Sequence, residues 1–70
     1  MKTVKRIQWT NKYSGEVGYV KTVSAAKKCF INTFDKDEAR KFRSDAEAEK
    51  TIAVLNDMGE GENNIFTIVE

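Results

Sequence analysis

Seventy residues with a formal net charge of +1 make one small domain rather than several. A chain this short buries only about 60% of the surface that its unfolded form exposes, so the core contributes roughly 3–5 kcal/mol of net stability. The lone Cys29 excludes an intrachain disulfide, and a single thiol without any histidine excludes a structural zinc site with its usual four N/S ligands. No stretch approaches the ~20 apolar residues of a membrane span, and the start of the chain (Met1, Lys2, Val4, Lys5, Arg6) has no apolar run of signal-peptide length. A soluble cytoplasmic protein is therefore expected.

Along the chain, residues 3–10 (TVKRIQWT) are β-branched and aromatic enough for a strand. Ile7 and Trp9 alternate, whereas Val4 is out of phase with them. Either Val4 faces the other side, or a bulge near Lys5 and Arg6 resets the register. Residues 11–16 (NKYSGE) carry turn formers, and residues 17–23 (VGYVKTV) read as a second strand. A phosphate-gripping glycine loop opens a helix and uses its free N–H groups. Here the glycines lead into β-branched residues and no Gly-Lys-Ser/Thr follows, so the segment reads as a hairpin turn.

Ser24-Ala25-Ala26-Lys27 is a second turn and residues 28–34 (KCFINTF) a third strand, taken as facing inward through Phe30 and Phe34. Asp35 with Glu38 forms a capping-box pattern for one helical turn that puts Ala39 and Phe42 on one side. Ser44 with Glu47 repeats it at the head of a helix over residues 45–58, with Asp45, Glu47 and Glu49 complementing the dipole. Ala48, Ile52, Leu55 and Met58 form one stripe, and Gly59 is placed to end the helix. Residues 65–69 (IFTIV) make a fourth strand. The order β-β-β-α-β predicts an α+β domain over residues 1–70: an antiparallel four-stranded sheet with one helix packed on one face. The expected inner face is Ile7, Trp9, Val20, Phe30, Phe34, Phe66 and Ile68.

One helix cannot cover both sides of such a sheet. The expected outer face holds Arg6, Gln8, Tyr19, Lys21, Val23, Ile31, Thr33, Ile65, Thr67 and Val69, which is richer in apolar residues than a plain wet face requires. It is either an interaction patch or a scatter of good strand formers. As a patch, Tyr19, Val23 and Ile31 supply its centre and Arg6 and Lys21 its rim, and the partner is another protein or a second copy of the chain.

Charge offers a second reading. Residues 1–34 carry seven basic side chains against Glu16 alone, and residues 35–70 carry ten acidic ones against five basic. The halves either attract one another, or the basic half binds nucleic acid, with Lys5, Lys12, Tyr13, Lys27 and Lys28 as contacts beside Arg6, Trp9, Tyr19 and Lys21. Against nucleic acid stand the near-neutral isoelectric point and the expected burial of Trp9. No catalytic constellation is apparent: there is no histidine to serve Ser14 or Ser24, and Cys29 in mid-strand reads as a small buried hydrophobe. Asp57, Glu60, Glu62 and Asn63 offer oxygen ligands, but without EF-hand spacing. No cofactor or metal is expected.

The strings IQWTNKYSGEVGYV, FDKDEARKFRSDAEAEKTIAVL and GEGENNIFTIVE cover nearly the whole chain. They resemble short uncharacterised proteins of Gram-positive bacteria, their prophages and mobile elements. The resemblance implies a non-catalytic binder that blocks or redirects a host factor. A phage inhibitor of a host nuclease, of the anti-CRISPR type, is one such role, with Asp35, Asp37, Glu38, Glu60 and Glu62 as its acidic surface.

Overall fold

The computed structural model describes residues 4–24 and 26–70. Four antiparallel strands, β1 (Arg6–Asn11), β2 (Val17–Ser24), β3 (Cys29–Thr33) and β4 (Asn64–Val69), form one sheet in the order β3-β2-β1-β4. The helix α1 (Asp45–Asp57) comes between β3 and β4, so the chain has the α+β order read from the sequence. Single 3-10 turns at Lys36–Glu38 and Glu60–Glu62 flank the helical region.

Local chemistry explains the joints. At the β1–β2 turn the Asn11 side chain accepts from the N–H groups of Tyr13 and Ser14, each at 2.9 Å, and Gly15 takes a φ of 77°. This is an asparagine-led turn and opens no helix. Ser44 Oγ accepts from Glu47 N at 3.4 Å and so caps α1. The Glu47 carboxylate reaches back to Arg43 N at 3.3 Å, one residue before the cap. Gly59, at φ 90°, supplies the left-handed residue that ends the helix beyond Met58. Asp35 accepts from Asp37 N at 2.9 Å and heads a single 3-10 turn, while Glu38 accepts from the Thr33 hydroxyl at 3.3 Å instead of reaching back to Asp35 N.

Ile7, Val20 and Leu55 are fully buried, with Trp9, Phe42 and Ala48 beside them and Val23, Phe30, Ile52, Met58, Phe66 and Ile68 packed around. The stripe Ala48, Ile52 and Leu55 of α1 thus faces the core, and Met58, expected inside the helix, packs against it as the C-cap residue. Phe34 does not: it lies just past the end of β3 at Thr33 and is 66% exposed, with its ring edge-on to Trp9 at 5.7 Å. The first strand also starts later than expected. Of its extension, Thr3 lies outside the described residues and Val4 is half-buried outside the strand. Lys5 exchanges two backbone hydrogen bonds with Phe42, at 2.9 and 2.8 Å.

The bulge sits in β2 instead. Val20 pairs with Asn32 and Thr22 with Ile31, so Lys21 is an extra residue that flips the alternation. Val23, expected on the outer face, therefore pairs with Phe30 and packs half-buried against the core. Past the bulge β2 leaves β1, and residues 39–42 take up the freed positions, with Arg40 N donating to Val20 O at 3.0 Å. Flat spacing would hold the edge strands β3 and β4 about 14 Å apart. Yet Phe30 and Phe66 meet edge-to-face at 5.9 Å, so the sheet curls over its inner side.

Candidate functional site

The side of the sheet away from α1 is the surface that no element fully covers. Its rows follow from the register: Val17, Thr10 and Ile65 lie across β2, β1 and β4, and Thr33, Tyr19, Gln8 and Thr67 form the next row. Val17 is 46% exposed and Ile65 51%, on either side of half-buried Thr10. Beyond the second row the 3-10 turn at Lys36–Glu38 touches the face. Arg6 Nε donates to Lys36 O at 3.0 Å, Lys21 Nζ approaches Glu38 at 4.0 Å, and Thr33 is nearly buried.

The expected partner surface is thus assembled only in part. Tyr19 is half-buried on the outer face; Arg6 and Lys21 are engaged by the turn rather than standing as a free rim. Ile31 is 57% exposed but sits on the diverging β2–β3 arm, and Val23 lies on the opposite side. Sequence reasoning left Val17 out of the patch. Its parity with Tyr19 across Gly18 was the available signal. Cys29, expected to be buried, is exposed: it pairs with Ser24 at the end of the arm and alternates with Phe30, which takes the core side.

The residues singled out for nucleic acid lie far apart. Lys12 and Tyr13 stand at the β1–β2 turn and Lys27 and Lys28 at the β2–β3 turn, with the eight residues of β2 (about 25 Å) between them. Lys12 Nζ donates to Gly61 O at 2.8 Å, and Lys5 Nζ lies 3.2 Å from Glu70 and 3.9 Å from Asp45. Tyr13 is 80% exposed, whereas Trp9 is buried and unavailable for stacking. The acidic residues are divided as well. Asp35, Asp37 and Glu38 lie near Arg6, and Glu60 and Glu62 near Lys12, at opposite ends of β1 and about 20 Å apart.

An open groove of about 230 Å³ between α1 and the arm is lined by Val23, Arg40, Lys50, Thr51 and Val54. The Arg40 guanidinium sits 5.2 Å above the Phe42 ring. No spacing in the sequence signals this groove, because the bulge at Lys21 is what turns Val23 toward it. Among the described residues no three potential metal ligands of the His, Cys, Asp or Glu type come together, and no helix is long and apolar enough to cross a membrane. Comparison with protein-family models, with characterised proteins and with solved structures finds no match for the chain.

Proposed function

We propose that the chain is a non-enzymatic protein-binding module that docks through the outer face of its sheet. The observation that carries this reading is the exposed pair Val17 and Ile65, aligned across Thr10 on the side that α1 leaves open. Tyr19 and Thr67 extend that surface, and Ile31 adds an apolar group on the arm. Apolar side chains in such a row gain by being covered, at about 25 cal/mol per Å² removed from water. Nucleic acid is the weaker reading, since the lysines named for it stand at opposite ends of β2. The division of the acidic residues likewise deprives a DNA-mimicking nuclease inhibitor of one continuous surface. Action in prophages or mobile elements rests on the sequence resemblance alone. An exposed, unpaired Cys29 suits a reducing compartment such as the cytoplasm.

The test compares two surface variants with the wild type in pull-downs from bacterial lysate, each checked for folding by circular dichroism. Val17→Lys is expected to abolish capture, and Ile31→Lys to weaken it less, while both remain folded. Capture that survives both substitutions would place binding elsewhere.

A further inference from the structure

We infer that a second copy of this chain adds to the sheet along β4, in antiparallel register centred on Phe66. This goes beyond the outer-face reading above and stands independently of it. Lys12 N donates to Asn63 O at 2.9 Å, and Asn11 N turns the other way, to Glu16 O at 2.8 Å. Alternation along an antiparallel ladder then turns the N–H and C=O groups of Asn64, Phe66 and Ile68 away from β1, toward the open edge. Among the described residues no backbone hydrogen bond reaches them from that side.

Edges of natural sheets are blunted by charge, proline, bulges or brevity. β4 (NIFTIV) has no charged residue, proline or glycine over six residues, and pairs with β1 without interruption. The other edge differs. β3 has five residues, follows Lys27 and Lys28 with Lys28 at φ 53°, and runs beside a bulged partner.

The spacing of the outward groups makes β4 complementary to itself. Centred on Phe66, Asn64 meets Ile68 of the second copy and Phe66 meets Phe66, which gives about six backbone hydrogen bonds. Exposed Ile65 then stands directly opposite Thr67 of the second copy, twice over. At the ends Glu70 comes opposite Glu62 of the second copy, but Lys5 Nζ lies 3.2 Å from Glu70 and Lys12 Nζ 2.8 Å from Gly61 O, so a lysine accompanies each carboxylate. Association must therefore depend little on salt, whereas a complex held by opposite charges loosens.

Sedimentation of the wild type over a concentration series, at about 50 and about 500 mM salt, is the first measurement. A mass rising toward twice the monomer at both salts is expected. In exchange experiments the amides of Asn64, Phe66 and Ile68 should gain protection with concentration, while those of Ile65 and Thr67 do not. Two double variants then test the register. Ile65→Lys with Thr67→Lys sets like charges opposite, and Ile65→Lys with Thr67→Glu sets opposite charges there. The first should dimerise about tenfold more weakly than the second, since each cross-strand pair contributes up to about 1 kcal/mol. A wild type that stays monomeric at both salts, or variants that associate equally, overturns the inference. Val17→Lys, two strands from this edge, should leave the dimer intact. A monomeric protein whose capture of another partner depends on Val17 would end the edge inference and spare the outer-face reading. A dimer without such capture would do the reverse.

Discussion

β1 and β4 pair through six consecutive positions, from Arg6 opposite Val69 to Asn11 opposite Asn64, with α1 packed over them. β2 and β3 pair through five positions broken at Lys21, and their far half leaves the sheet as an arm. Ile7 and Leu55 are fully buried on the first side and Val20 at the junction, while beyond Val20 the arm offers only half-buried Val23 and Phe30. The two ladders have similar numbers of pairs, yet burial divides them unequally. Stability in a sheet this small comes from what lies over a ladder more than from the ladder itself, and the less covered arm is where opening costs least.

Leu55→Ala strikes the covered side hardest. It empties the middle of the stripe at a site with no exposure, so denaturant melts should show a loss of about 2–5 kcal/mol. A neutral result would mean that α1 does not hold the sheet. Gly18→Ala acts at the junction. A β-carbon there would fall within the Trp9 indole, whose Nε1 is also held by Tyr19 O at 3.1 Å, so the ring must move. A cost of about 1–3 kcal/mol with altered tryptophan fluorescence is expected. Val23→Ala tests the arm. Removing two methyl groups from a half-buried site should cost about 1 kcal/mol and loosen arm amides before those of β1. If Val23→Ala matched Leu55→Ala, the two regions would be one cooperative unit and the contrast would fail.

Much of this was legible in the sequence because it depends on near neighbours. Ser44 and Glu47, Asn11 and Gly15, and the stripe from Ala48 to Met58 each act within one or two turns of chain. The slip at Val4 allows either a bulge near Lys5 and Arg6 or a Val4 that faces the other side; the bulge lies instead at Lys21, between Val20 and Thr22. It stands beside a tertiary contact, where Arg40 N donates to Val20 O at 3.0 Å and Phe42 pairs with Lys5. The bulge moves Val23 off the expected partner surface, and the turn at Lys36–Glu38 occupies Arg6 and Lys21. Phe34 was misjudged for a simpler reason, since hydrophobicity alone does not show where a strand ends. The curl that joins Phe30 to Phe66 across opposite edges has no local signature either.

The pairing of β1 with β4 has a consequence for synthesis. β1 lies in the middle of the sheet, and its neighbour on one side, β4, leaves the ribosome after the other three strands and α1. Until residues 64–69 emerge, β1 has an open side, and Ile7 and Trp9 lack part of the cover that α1, Phe66 and Ile68 provide. The nascent chain can make its hairpins early, but the sheet closes only when β4 arrives, through contacts that join residues 6–11 to residues 64–69. Folding is therefore timed by the last strand, and the interval before its arrival is when this small protein is most open to wrong partners.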